Sequence, residues 1–162
     1  MEILTDRLRE PDDDNPKGYY EFEMVKKLKT DASWLADAKG KAVKVISALL
    51  GYLPEKYDYK IIFMERKMEE ILASQKQMLI RRGERTDASG DEELKLIFLK
   101  HLQKVKDWLV KQSNMEVLYI NYNDLLKDPI AFSKIINQFL ENRLNTNNMV
   151  SVVDMTLYRQ RL

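Results

Sequence analysis

The chain has 162 residues, enough for one domain with a substantial core. Hydrophobic residues make up 44% and charged residues 33%, and the 27 basic side chains nearly balance the 26 acidic ones, which disfavours a nucleic-acid surface. The sequence contains no cysteine and one histidine, so it excludes disulfides, thiolate metal sites and zinc sites built on several imidazoles.

The cellular compartment is inferred from signals that the sequence lacks. No apolar run approaches the length of a membrane span, and the amino terminus has neither the basic nor the apolar region of a signal peptide. We therefore expect one cytoplasmic domain over residues 1–162, with no membrane partner, no nucleic-acid partner and no metal.

The first eighteen residues are predicted to be mostly loop. Turn-forming residues occupy nearly every position from Pro11 to Gly18. The acidic run at 12–14 offers oxygen ligands that suit a hard cation, but this composition is far more typical of a solvated loop.

Three short helical turns are predicted next, each built on apolar residues. Their apolar residues are Val25 and Leu28, then Trp34 and Leu35, and then Leu49, Leu50 and Leu53 before Pro54. The first of these turns follows the aromatic and acidic segment 19–23. Three longer helices are also predicted: one ends near Arg82, one covers 91–112, and one begins at Asp128-Pro129. Gly83 and Gly90 bracket a polar loop.

Three short runs rich in long apolar residues predict buried strands at 42–46, 60–65 and 116–121. These strands alternate with helices along the chain. The alternation predicts an α/β fold with a parallel sheet flanked by helices, because parallel neighbours need crossover connections.

An arginine directly after the second predicted strand is the strongest sign of a binding site. Arg66 follows the run at 60–65, and Ser74 lies eight positions further along, about two helical turns away. Ligands of open parallel sheets bind outside the carboxyl ends of the strands, where an arginine can grip a phosphate and a serine hydroxyl can join it. A salt bridge from Arg66 to Glu69 or Glu70 explains the same residues equally well.

Three segments together resemble the sulfotransferases that use 3′-phosphoadenosine-5′-phosphosulfate, and most closely the bacterial members of that family. Arg66 and Ser74 have the family's spacing for the 3′-phosphate of the donor. The segment 117–129 is similar to the family's strand, Tyr-Glu-Asp and Asp-Pro helix start, with Asn123 in the Glu position. The segment 42–46 sits where the family has a strand ending in Lys-Thr-His.

The resemblance implies roles for four residues. Arg66 and Ser74 would bind the nucleotide 3′-phosphate, and Tyr122 would lie near the adenine or the reaction cleft. A tyrosine that ends a buried strand also commonly packs its ring and hydrogen-bonds locally. Lys44 matches the family's catalytic lysine, which stabilises the transferring oxygens, and is equally well explained as an edge charge. The implied reaction moves a sulfuryl group from the donor to a hydroxyl or amine of an unidentified small molecule or glycan.

Two parts of the family pattern are missing. Ile46 stands near the position of the family's histidine, and no loop of the Pro-Arg/Lys-Ser-Gly-Thr type occurs. Backbone N–H groups of that loop bind the 5′-phosphosulfate. We therefore expect a sulfotransferase-like member of the P-loop nucleotide-binding class, truncated at the amino terminus before its first strand and loop, and inactive alone. The alternative is a non-catalytic remnant that binds nucleotide or serves as an interaction module.

The expected truncation also predicts a partner. The family's first strand lies between strands like those at 60–65 and 116–121, so its loss would leave two interior edges unpaired. Unpaired apolar edges favour pairing with another chain, and self-association through these edges is therefore expected.

Three residues are candidates for the general base in place of the missing histidine. Glu21 and Glu23 lie beside an aromatic pair, and a carboxylate can act as a base where apolar neighbours raise its pKa. Capping or flanking the short helix explains these glutamates better. His101 falls on the apolar side of its helix, where a histidine is more often packed than catalytic.

Overall fold

A computed structural model describes residues 1–6, 8–84 and 91–159 of the chain. Two strands and five α-helices form its main elements, and 3-10 helices precede and follow them. In chain order these are the 3-10 helices Glu23–Lys27, Ser33–Ala38 and Ser47–Tyr52, then β1 (Tyr59–Glu65), α1 (Met68–Arg81), α2 (Asp91–Leu109), β2 (Met115–Asn121), α3 (Tyr122–Lys127), α4 (Pro129–Phe139) and α5 (Thr146–Ser151), and the 3-10 helix Met155–Leu157.

The two strands form a parallel pair, as the alternation of strands and helices predicts. Their register runs through seven residue pairs, from Tyr59 opposite Met115 to Glu65 opposite Asn121. The connection between them is the pair of helices α1 and α2, which supplies the crossover that parallel strands require. Because β1 and β2 pair directly with each other, the expectation that a missing first strand leaves unpaired edges between them is wrong for this structure.

The predicted strand at 42–46 is also wrong. Only Ala42 pairs, in an isolated parallel bridge with Ile3, and residues 43–46 lie outside any strand. Val43 and Val45 instead pack against the amino-terminal hydrophobic cluster, and Val45 also contacts the cluster under the sheet. The β-branched side chains therefore reflect partial burial of a segment without a strand partner. A sequence pattern does not distinguish such burial from pairing in a ladder.

The core consists of two hydrophobic clusters that share contacts. The amino-terminal cluster is formed by the first two 3-10 helices and has as its buried members Val25, Leu28, Trp34, Leu35 and Ala38. The cluster under the sheet joins the third 3-10 helix, β1, α2 and β2 through Leu50, Phe63, Leu109 and Met115. Val45 and Leu53 pack against both clusters, so the two residues connect the amino-terminal cluster to the cluster under the sheet.

Capping explains where several helices begin. Asp128 accepts a hydrogen bond from the Ala131 backbone N–H at 2.9 Å, and Pro129 follows it at the first helical position, as the Asp-Pro pair predicts. The helix α2 ends at Leu109, three residues before the predicted boundary. Gly83 follows α1 with a φ of 74°, while Gly90 lies outside the described residues. None of the described helices has the length and apolar character needed to cross a membrane.

Leu109 and Val110 offer a matched test of this core. Leu109 is 2% exposed in the cluster under the sheet, whereas its neighbour Val110 is 83% exposed. We expect Leu109→Ala to lower the free energy of unfolding by about 2–5 kcal/mol, because it removes buried methyl groups and leaves a cavity. Val110→Ala should change it by about 0.5 kcal/mol or less. Urea unfolding of the two variants measures both values, and equal losses would contradict this packing.

Candidate functional site

The candidate site lies where β1 and β2 end. Glu65 and Asn121 close the two strands as register partners, so the residues that follow, Arg66 and Tyr122, leave the sheet side by side. The guanidinium carbon of Arg66 lies 5.3 Å from the centroid of the Tyr122 ring. The carboxyl edge of a parallel sheet is where such folds bind ligands, and an arginine and an aromatic ring meet at that edge here.

Asn121 fixes the chain as it leaves β2. Its side-chain oxygen accepts hydrogen bonds from the backbone N–H groups of Asn123 at 2.9 Å and Asp124 at 3.2 Å, which caps α3. The cap begins the helix at Tyr122 and brings Asn123 into the interior, where it is 7% exposed.

A fully buried carboxylate, that of Glu70 in the first turns of α1, lies at the centre of the site. Its Oε2 accepts a hydrogen bond from Arg66 Nε at 2.9 Å, and its Oε1 accepts from Tyr158 Oη at 2.5 Å and from Asn123 Nδ2 at 2.7 Å. Asn123 Nδ2 also donates to Tyr158 Oη at 2.7 Å. We call Arg66, Glu70, Tyr122, Asn123 and Tyr158 the Glu70 cluster.

The donors around Glu70 keep it ionised. Burial raises the pKa of this carboxyl, but the hydrogen bonds from Tyr158, Arg66 and Asn123 outweigh burial and hold the pKa below its ordinary value of 4.5. The bond to Glu70 in turn raises the pKa of the Tyr158 hydroxyl, so the proton stays on the tyrosine. Because the folded pKa of Glu70 is lowered, its ionised form stabilises the fold above the unfolded value, and this contribution is lost as pH falls through the folded value.

Two tyrosine rings enclose the arginine. The rings of Tyr122 and Tyr158 meet edge to face with their centroids 6.0 Å apart, and the Arg66 guanidinium carbon lies 5.8 Å from the Tyr158 ring. Cation–π attraction therefore adds to the ion pair with Glu70 in holding the guanidinium.

The carboxy-terminal segment brings Tyr158 to the cluster. It is held by the acidic loop near the amino terminus, where Lys17 Nζ lies 2.8 Å from Asp154 Oδ2 and Arg159 Nη2 donates to the Asp14 carbonyl at 3.0 Å. Sequence reasoning missed Tyr158, because no periodic apolar pattern precedes it and its partners are remote in sequence.

The predicted phosphate ligands occupy different surroundings. Arg66 makes the salt bridge to Glu70 that was the alternative to phosphate binding, and it does so at the carboxyl edge of β1. Ser74 lies on α1 four residues after Glu70, exposed to solvent, so the two share a helix face. The role of both residues in binding a 3′-phosphate stays a prediction.

Lys44 belongs to a separate cluster. Its Nζ donates to the Tyr19 carbonyl at 3.1 Å and lies 3.6 Å from Glu21 Oε1. Arg9 lies 3.8 Å from the other Glu21 oxygen and stacks on the Tyr19 ring at 3.4 Å. Tyr20, between the two, has a φ of 50°, a left-handed conformation that is strained for a bulky side chain. Two candidates from the sequence therefore lie together: Glu21 directly follows the strained residue Tyr20, and Lys44 contacts Glu21 from another segment.

The remaining base candidates have local partners. Glu23 Oε2 accepts from Lys26 Nζ at 2.8 Å in the first 3-10 helix. His101 Nε2 lies 2.9 Å from Ser47 Oγ, which joins α2 to the third 3-10 helix. Glu23 begins the first 3-10 helix without capping it, and His101 has a local partner on a neighbouring element, which agrees with the flanking and packing roles preferred from the sequence.

The part of the chain that the structure describes contains no group of three or more His, Asp or Glu side chains that could hold a metal ion. Two carboxylates of the acidic loop have protein partners: Asp12 Oδ2 accepts from Tyr19 Oη at 2.5 Å, and Asp14 pairs with Arg81 of α1. Tyr19 is also the main cause that lowers the pKa of Asp12.

No family model, curated protein or solved structure matches this chain.

The Glu70 cluster generates a prediction for Asn123→Asp. The substitution keeps the shape of the side chain but puts a second carboxylate 2.7 Å from Glu70 Oε1. We expect a loss of about 3–5 kcal/mol in unfolding free energy at pH 7, because a buried charge then lacks a donor. The loss should shrink in acid, where a shared proton bridges the two carboxyl groups.

Urea unfolding at pH 7 and at pH 5 measures this effect. Asn147→Asp is the control, because Asn147 is exposed on α5 and its substitution should leave the unfolding midpoint nearly unchanged. Similar midpoints for Asn123→Asp and the wild type at pH 7 would contradict the buried contact with Glu70.

Proposed function

We propose that the chain is a sulfotransferase-family domain that binds 3′-phosphoadenosine-5′-phosphosulfate at the carboxyl edge of β1 and β2. The observation that carries the proposal is the meeting of Arg66 and Tyr122, which directly follow the two paired strands. The Arg66 guanidinium carbon lies 5.3 Å from the centroid of the Tyr122 ring. Arg66 thus offers a cation for a phosphate, and Tyr122 beside it offers an aromatic ring for the adenine base.

The 3′-phosphate is assigned to Arg66 and Ser74. Arg66, Glu70 and Ser74 are spaced four residues apart, so the serine lies one helical turn beyond the carboxylate that holds the arginine. A guanidinium binds phosphate oxygens through charge-assisted hydrogen bonds, and an exposed hydroxyl on the same face can donate one more. Tyr122 would contact the adenine.

In the complete form of the domain, we assign catalysis to Lys44 and Glu21, which lie 3.6 Å apart in a cluster separate from Arg66 and Tyr122. The assignment requires that the 5′-phosphosulfate of a donor held at Arg66 reach this second cluster. In the proposed step, the acceptor hydroxyl or amine attacks sulfur while its proton passes to the Glu21 carboxylate. The bond between sulfur and the bridging oxygen of the 5′-phosphate breaks, and Lys44 stabilises the transferring oxygens. Such in-line transfer depends on positioning and on nearby cations, as phosphoryl transfer does.

A second candidate is a non-catalytic domain that binds nucleotide or another protein. It is favoured by the sequence, which contains no Ser-Gly-Thr or Gly-Lys-Ser/Thr loop to bind the 5′-phosphosulfate. The ion pair between Arg66 and Glu70 also fits a structural role. Binding and turnover experiments separate the two candidates.

Nucleotide binding tests the assignment of Arg66. Adenosine 3′,5′-bisphosphate should bind more tightly than adenosine 5′-monophosphate, which lacks the 3′-phosphate. Arg66→Ala should remove most of that preference, about 1.5–3 kcal/mol for a charge-assisted contact. Titration calorimetry with both nucleotides measures it.

Arg82→Ala is the matched control for charge, because Arg82 is exposed just after α1. This variant should keep the preference of the wild type. Equal affinity of the wild type for the two nucleotides would count against the site.

Turnover tests the catalytic assignment. We expect the 162-residue chain to transfer no measurable sulfate, because one preorganised oxyanion donor typically contributes about 2.7–4 kcal/mol to lowering a barrier and a complete loop supplies several. A strand and a Pro-Arg-Ser-Gly-Thr loop fused ahead of Met1 should raise turnover if the added strand inserts between β1 and β2, which pair directly in this chain. Lys44→Ala should abolish that gain. Donor-dependent sulfation by the unfused chain, lost in Arg66→Ala, would contradict this expectation.

A further inference from the structure

We propose that Glu70 is a positioning residue for Arg66, and that Tyr158 of the carboxy-terminal segment locks Glu70 in place. The affinity of Arg66 for the nucleotide 3′-phosphate would then depend on Tyr158, which lies 92 positions later in the chain (158 − 66). This inference rests on the proposed function for its ligand, and on the contacts of the Glu70 cluster for its mechanism.

The two oxygens of Glu70 have separate tasks. Oε2 accepts a hydrogen bond from Arg66 Nε, the nitrogen that joins the planar guanidinium to the rest of the side chain. This hydrogen bond fixes the plane of the whole guanidinium group. Oε1 accepts from Tyr158 and Asn123, which fix the carboxylate itself. One side of the carboxylate therefore orients the arginine while the other is held by the rest of the fold.

The lock is remote in sequence and anchored at the surface. Tyr158 contacts Glu70 from the carboxy-terminal segment. Two contacts anchor that segment to the acidic loop: Asp154 pairs with Lys17, and Arg159 donates a hydrogen bond to the Asp14 carbonyl. An arginine kept in one orientation loses less conformational freedom when it binds an anion. The carboxy-terminal segment thus contributes to affinity without having to touch the nucleotide.

Two substitutions separate positioning from charge. Tyr158→Phe keeps the ring beside Arg66 and removes only the hydroxyl. Glu70→Gln keeps the shape and removes the charge that holds Nε. If Glu70 positions Arg66, both variants should lower the preference for adenosine 3′,5′-bisphosphate over adenosine 5′-monophosphate, by about 3- to 10-fold for Tyr158→Phe and at least as much for Glu70→Gln. If Glu70 only neutralises Arg66, Glu70→Gln should raise the affinity for the bisphosphate.

Two matched controls and one surface variant accompany the substitutions of Tyr158 and Glu70. Glu69→Gln changes the neighbouring carboxylate, which pairs with Lys95 at the surface, and Tyr52→Phe changes a tyrosine that is 43% exposed. Both should keep the wild-type preference. Lys17→Ala loosens the anchor of the carboxy-terminal segment from the half-exposed surface, and should lower the preference even if the buried variants fail to fold.

A second readout does not need the nucleotide. In nuclear magnetic resonance spectra of the full chain, the Arg66 Nε–H signal should be protected from solvent exchange in the wild type. It should exchange faster in Tyr158→Phe, Glu70→Gln and Lys17→Ala, and be unchanged in the two controls. Arg66→Lys identifies the signal by its loss.

The outcomes distinguish the two proposals. A wild type without preference for the bisphosphate overturns the proposed function, and the Nε–H exchange then decides whether Glu70 and Tyr158 position Arg66. A wild type with the preference, kept unchanged in Tyr158→Phe and Lys17→Ala, overturns the positioning role alone. Unchanged Nε–H exchange in these variants overturns it as well.

Discussion

A carboxylate taken out of water must find hydrogen-bond donors, and Glu70 meets this requirement with three segments of the chain. Arg66 comes from the end of β1, Asn123 from the start of α3, and Tyr158 from the carboxy-terminal segment. An unpaired charge in the interior costs several kcal/mol, so the fold that satisfies Glu70 is strongly preferred over folds that do not. The same need places an arginine and the Tyr158 ring together at the edge of the sheet, where both contact Tyr122.

The site is also constrained by a small sheet. Two parallel strands are too few to bury both faces by themselves, so α2 and the third 3-10 helix cover one face through Leu109 and Leu50. Ile120, 1% exposed, is buried in β2 directly before the cap at Asn121. The buried core therefore reaches to within two residues of Tyr122.

The sequence predicted the elements whose signals are local. The parallel pair, the position of Arg66 directly after β1 and the Asp128-Pro129 start of α4 depend on short apolar runs and capping chemistry, and the structure confirms them. The strand at 42–46 was wrong, because buried β-branched residues do not reveal whether their backbone is paired. The sequence could not identify Tyr158 as part of the site, because its role depends on a hydrogen bond to Glu70, which is remote in the chain. Whether Arg66 and Ser74 hold a phosphate or serve the fold is a question that neither residue's local pattern answers.

The register of the sheet also has a kinetic side. Tyr59 pairs with Met115, so the strands come together only after a connection containing α1 and α2 has closed. Closing such a loop costs entropy before any ladder bond forms, whereas the two helices can form from local contacts. We expect the helices to form early and the strand pair late in refolding. Since Arg66, Tyr122 and Glu70 meet only when the strands are paired, the cluster would be among the last features of the molecule to assemble.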